Sequence, residues 1–120
     1  MGLRSKQLCR AGALFAAALL TSAVYADSLD ISARRLLSSW TDGDPSMRML
    51  AEVIASAFAS GLSWSGSLAR KEVYCPPPEL KGQRVMSAFE RFLKDNPDMA
   101  ERPYGDALAA SLSRSFPCQL

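Results

Sequence analysis

Histidine is absent from the 120 residues. This excludes Ser-His-Asp and Cys-His nucleophile systems and the commonest zinc-binding sets. Acidic residues are absent from the first 26 positions, where Arg4, Lys6 and Arg10 supply three positive charges. No apolar run reaches the roughly 18 to 20 residues that a membrane span needs; the longest run near the start, Ala11 to Ala23, has 13. Nowhere do apolar and polar residues alternate convincingly enough for a strand, and no internal repeat or low-complexity linker is present. Cysteine is scarce, at Cys9, Cys75 and Cys118.

What is present first is a basic, apolar, small-residue order. The basic decapeptide and AGALFAAALLTSA are followed by AVYA, with Val24 and Ala26 at the positions a signal peptidase reads. This order predicts a secretory signal peptide over residues 1–26, cleaved after Ala26. Cys9 precedes the apolar run and so is not placed as a lipoprotein cysteine. Removing the leader leaves 11 basic and 12 acidic residues, a net charge of −1 in place of +2. The basic balance then disappears, and with it any basic surface that would argue for nucleic acid. Nothing after the leader calls for a membrane. Two cysteines remain, and an even pair in an exported chain is most simply one disulfide, Cys75–Cys118.

The rest of the chain has helical spacing. Leu29, Ala33, Leu36, Leu37 and Trp40 predict a helix near 28–40. TDGDP breaks it, and Asp44 followed by Pro45 suits an N-cap and a first helical position. Met47, Leu50, Val53, Ile54, Ala57, Phe58 and Leu62 predict one face of a second helix over about 45–62, with GLSWSGS as its polar end. Three prolines after Cys75 fit neither helix interior nor central strand, so 76–78 reads as an extended arm. Val85, Met86, Phe89, Phe92 and Leu93 predict a third helix over about 80–95, stopped by Asn96-Pro97. Tyr104, Ala107, Leu108, Ser111 and Leu112 predict a fourth over about 103–115. The expected fold is all-α: a small bundle of about four helices clamped by one disulfide.

Motifs for chemistry are weak. GLSWSG resembles a nucleophile elbow, but Ser65 stands where the second glycine is required, and the motif follows a helix. Asp42 and Asp44 resemble the start of a calcium loop, but Pro45 and Arg48 occupy ligand positions, so a turn and helix cap explain them better. Glu90 and Lys94 read as a solvated i, i+4 pair. Trp64 reads equally as a contact residue or as helix-end packing. No catalytic, cofactor or metal site is expected, which favours a binding protein over an enzyme.

YCPPPELKGQRVMSAFERFLKDNP, followed by ALAASLSRSFPC, resembles the Rap/Tai immunity proteins of type VI secretion systems. The resemblance rests on Cys75 before the prolines, Gly82-Gln83, Phe92-Leu93, Asn96-Pro97 and Phe116-Pro117-Cys118, within an immunity-like domain over 27–120. It implies a periplasmic protein that binds and occludes a secreted toxin, a cell-wall hydrolase of the peptidoglycan amidase kind, and that often acts as a homodimer. Family members commonly carry a second cysteine pair across the opening hairpin. Here Trp40 and Leu50 stand at the matching positions, so the two side chains are expected to be buried against each other instead. Aromatic and arginine residues supply most interface hot spots. Trp64, Arg70 and Arg102, in or beside the segments 61–72 and 95–103, are therefore the candidate partner-binding residues. The alternative from another class is a periplasmic helical stress protein or chaperone similar to HdeA.

Overall fold

The computed structural model describes residues 31–119. The expected leader and its cleavage site lie outside the described residues. Four α-helices follow in order: α1 Ala33–Thr41, α2 Pro45–Ala69, α3 Gly82–Asp95 and α4 Tyr104–Ser115. A 3₁₀ turn, Pro97–Glu101, joins α3 to α4. Among the described residues there is no strand, only one isolated antiparallel bridge between Ser32 and Pro103.

The ends of the helices follow local chemistry. Ser32 caps α1 through its hydroxyl, which accepts from the Arg35 N–H at 3.3 Å. The described helix starts at Ala33, because the backbone around Ser32 is held by the segment 102–104 at the entrance to α4. The Ile31 carbonyl accepts from Tyr104 N–H at 2.9 Å, and the Arg102 carbonyl accepts from Ala33 N–H at 2.8 Å. Asp44 caps α2, its Oδ1 accepting from Met47 N–H at 3.0 Å, with Pro45 in the first turn.

α2 does not end near residue 62 as expected but runs through GLSWSGS to Ala69. Serine and glycine lower helix propensity without breaking a helix that tertiary packing holds. The real stop is Arg70, in the left-handed region at φ 53°, with Lys71 N–H bonding back to the Gly66 carbonyl at 2.9 Å. Such a left-handed residue satisfies the last carbonyls of a helix. Gly66 is required by the reversal: a Cβ there would sit 3.1 Å from the Glu72 Cα and 3.2 Å from the Lys71 carbonyl.

The core is built by Leu36 and Trp40 of α1, Val85, Met86 and Phe89 of α3, and Leu108 and Leu112 of α4. α2 contributes Ala51, Ala55 and Ala59, with Ile54, Phe58 and Leu62 half-buried beside them. The expected inner face of α2 is therefore corrected. Met47, Leu50 and Val53 lie on the exposed side, and the buried stripe is alanine. Alanine is there because α3 comes so close. The backbone at Gly82 meets the backbone of Glu52, leaving no room for a Cβ.

The pairing of Trp40 with Leu50 is likewise corrected. Trp40 is buried, but Leu50 is half exposed. The indole of Trp40 instead reaches Glu52, two residues past Leu50, where its Nε1–H donates to Glu52 Oε1 at 3.0 Å, and the Arg48 guanidinium lies over its ring at 5.6 Å. A polar contact thus ties the opening hairpin. A hydrogen bond to a charged acceptor contributes about 1.5 kcal/mol or more. Trp40→Phe is expected to cost about that much in denaturant unfolding. A change under about 0.5 kcal/mol would show that the bond contributes nothing.

The proline arm returns the chain from α2 to α3. Tyr74 is buried and its hydroxyl donates to the Ala59 carbonyl. Cys75 is bonded to Cys118, with Cα atoms 4.9 Å apart, and Cys75 N–H donates to the Phe116 carbonyl at 2.9 Å. The arm at 76–78 has no regular structure, as expected, and Glu79 turns it into α3 with φ 57°. The disulfide so joins the segment before α3 to the segment after α4.

Candidate protein-binding surface

The exposed apolar residues and the cleft cluster on α2 and on the arm beside it. Trp64 lies on the outer side of α2 and is 71% exposed. This excludes the reading of Trp64 as a helix-end packing residue. Along the same side stand Leu50, Val53 and Leu68, at 50%, 58% and 79% exposure. The residues from Val53 to Ala69 include no charge at all. A surface helix normally turns charged or polar side chains to water, and a continuous apolar stripe on that side marks a contact surface.

A cleft of about 260 Å³ runs between α2 and the proline arm. Ser56, Ser60 and Ser63 line one wall, Pro76 and Pro77 the other, and Trp64 the rim. Its position is fixed from both sides. The arm is stiff, it is anchored by the Tyr74 hydrogen bond to α2, and the disulfide holds its root. A concave, water-accessible slot on a rigid frame suits an inserted side chain of a protein partner. Burial raises the Tyr74 phenol above its usual value, so it stays neutral and serves as a structural donor.

Arg70 is exposed at the C-terminal end of α2, six residues from Trp64. Arg102 is exposed too, but it lies where the 3₁₀ turn meets the start of α1, its carbonyl engaged by Ala33. The structure thus puts Trp64 on α2, Arg70 at the cap that ends it and Arg102 on the connection between α3 and α4. The 95–103 segment is an ordered turn. Asn96 bonds the Phe92 carbonyl through Nδ2 at 2.9 Å, and Arg114 lies over the Phe92 ring at 5.8 Å.

Glu72, Cys75 and Cys118 form the one group among the described residues with a metal-like donor spacing. The Glu72 carboxylate lies 3.3 Å from the Cys75 sulfur and 3.7 Å from that of Cys118. With the two sulfurs joined to each other, neither is a thiolate, and the set cannot act as a metal ligand group. Among the described residues, Ser111 has a buried hydroxyl without a partner, on the inner side of α4. No helix among the described residues is long and apolar enough to cross a membrane.

The outer stripe of α2 is the feature that the sequence reading missed. The signal was available: Leu50, Val53, Trp64 and Leu68 share a face at helical spacing once α2 is extended past Gly61.

No curated protein and no solved structure matches this chain. The model of one protein family does, that of the Rap1a immunity proteins, over residues 29–118. That span contains all four helices, the proline arm and both bridged cysteines. The chain belongs to the Rap1a immunity proteins.

Proposed function

We propose that this protein is exported to the periplasm, where it binds a secreted toxin and blocks it by occlusion. Membership of the immunity family implies a toxin as partner. The finer reading is that the toxin is a cell-wall hydrolase, of the peptidoglycan amidase kind delivered by type VI secretion. The leader-like residues 1–26 support a periplasmic site of action, and a hydrolase of the cell wall acts in the same compartment.

The observation that carries the reading is the rigid cleft with Trp64 at its rim. The geometry offers a shaped surface, whereas no group of side chains in it is arranged to transform a substrate. Protection must then come from tight binding, because a single free hydrolase molecule turns over repeatedly. Nanomolar affinity, about −12 kcal/mol, is the scale required. An interface of about 800 Å² per partner is ordinary for such complexes. Trp64 and Arg70 supply the residue types that dominate such interfaces. Self-association, as the resemblance implies, is part of the same reading.

The test is co-expression with a periplasmic amidase encoded beside this protein. Cells making the amidase alone should lyse, and cells making both should survive. Trp64→Ala should weaken the purified complex by at least about tenfold while leaving the fold intact. Lysis in the presence of the intact chain, with no complex recovered, would refute the reading. Recovery of many unrelated periplasmic clients would favour the chaperone-like alternative.

A further inference from the structure

We infer that the furrow between α3 and α4 is a second recognition surface, built to hold the carboxylates of an acidic segment of a protein partner. Arg84, Ala88, Arg91 and Asp95 follow steps of four, three and four residues, which puts them along one side of α3. The end of α4 meets that side. Arg91 and Asp95 of α3 and Arg114 and Ser115 of α4 line a furrow of about 270 Å³, with Phe92 between them. Arg84 continues the line to Phe116, just past the last turn of α4.

Two of the three guanidiniums are held in place by rings. That of Arg114 lies over Phe92 at 5.8 Å, and that of Arg84 over Phe116 at 5.3 Å. Phe92 is buried and Phe116 half-buried, so each ring is itself fixed. A guanidinium stacked on a ring gives its face to the ring. Its N–H groups lie in its plane and stay available at the edge. Such a side chain also has less freedom left to lose when a ligand arrives. These positive charges are not spent within the protein. The ion pairs among the described residues are Arg34–Glu101 and Lys94–Glu90, and none of the three arginines belongs to either. Arg114 directs one N–H to Asn96 Oδ1 at 3.4 Å, a long contact that leaves its other donors free of that bond.

The occupant follows from the charges around the furrow. A planar guanidinium matches a carboxylate or a phosphate through paired N–H bonds. Two acids stand among the arginines: Asp95 lines the furrow, and Asp98 lines the adjoining hollow on the other side of Arg114. A nucleic acid or an anionic membrane presents negative charge everywhere and would be repelled at both. A protein segment sets single carboxylates at chosen points, so it can meet the arginines and turn neutral residues toward Asp95 and Asp98. The furrow shares no lining residue with the cleft beside Trp64, so this surface is additional to that one.

The probe is an acetylated, amidated Gly-Glu-Gly-Glu-Gly peptide, whose two glutamates fall on one side when the chain is extended. Added to the purified chain, it should shift the amide NMR signals of residues 88–95 and 113–116, with a dissociation constant of about 1 mM. Arg91→Gln combined with Arg114→Gln should weaken binding at least about tenfold. Arg91→Gln alone should weaken it about threefold, which keeps the test open if loss of the stacked Arg114 disturbs the fold. Arg114→Lys should not restore full binding, because an ammonium keeps the charge but loses the fork. Arg34→Gln, on α1, should change nothing. Circular dichroism should show helix content retained, since all these arginines are exposed. Absence of shifts at about 10 mM peptide, or equal binding by the double variant, would overturn the proposal. Equal shifts with sodium sulfate would make the furrow a general anion site and overturn the carboxylate reading. Tighter retention on phosphatidylglycerol vesicles, lost in the double variant, would give the furrow to a membrane and overturn the protein occupant. No toxin takes part, so the outcome is separate from that of the immunity reading.

Discussion

Cys75→Ser should lower the stability of this domain by about 4 kcal/mol. The bridge closes a loop of 43 residues. For a loop of that length, the lost freedom of the unfolded chain is worth about 4 kcal/mol. A domain of this size has a total stability of about 5 to 15 kcal/mol, so the loss is a large share of the whole. At about 4 to 8 °C per kcal/mol for 60 to 100 residues, the melting temperature should fall by about 15 to 30 °C. The effect should not be confined to the sulfurs. Cys75 roots the proline arm, so its release frees one wall of the cleft, and toxin affinity should fall together with stability. Melting curves with and without reductant, beside those of the serine variant, decide the matter. A drop below about 5 °C in both would mean that the hydrogen bond from Cys75 to Phe116 and the Tyr74 anchor hold the arm unaided.

Gly82→Ala should push α2 and α3 apart and destabilise the molecule. A Cβ at this position would press into the Glu52 peptide, within 2.9 Å of its carbonyl carbon and 3.1 Å of its own Cβ. The obstacle is the Glu52 peptide and the Cβ fixed to it, so no side chain can turn away. α3 must shift along or away from α2, and overpacking of this kind costs about 1 to 3 kcal/mol. Alanine at an early helical position is otherwise favourable by about 1 kcal/mol relative to glycine. The direction of the change therefore reports which effect wins. A melting temperature lower by about 4 to 20 °C is expected. Because Glu52 also receives the Trp40 indole N–H, the damage should overlap with that of Trp40→Phe, and the double variant should lose less than the two separate losses combined. An unchanged or raised melting temperature would show that the helices have slack at their crossing.

The sequence displayed some parts of this structure plainly and concealed others for identifiable reasons. Asp44-Pro45 marked the start of α2 because a cap and a first-turn proline act locally. The spacing in Val85, Met86, Phe89, Phe92 and Leu93 marked α3 because large apolar side chains there do face the core. The Cys75–Cys118 bridge followed from the cysteine count once the leader was set aside. The inner face of α2 was legible only in part: Ile54, Phe58 and Leu62 do pack against the core, but Met47, Leu50 and Val53 do not. The fully buried stripe is alanine because α3 comes close at Gly82, and that closeness is a property of two helices together. Leu50 was misplaced for the same reason, being the neighbour of the residue that is buried, Ala51. The end of α2 was hidden because Ser and Gly signal a stop in isolation, whereas the actual stop is an arginine in a left-handed conformation. Trp64, Arg70 and Arg102 could be proposed from residue type alone, but their distribution over two separate places required the fold.

The backbone bonds that join Ile31 to Tyr104 and Ala33 to Arg102 impose an order on how this protein comes into being. α1 has nine residues, fewer than the roughly 12 to 15 at which an isolated helix begins to hold itself in water. Its first turn is fastened by residues made some 70 positions later, as numbering from 31 to 104 shows. A ribosome produces the first helix early and its fastenings late. Throughout that interval α1 remains a flexible strand of polypeptide, unable to lock. The delay is written into the topology: the first helix cannot be fastened until the segment from Arg102 to Tyr104 has been made.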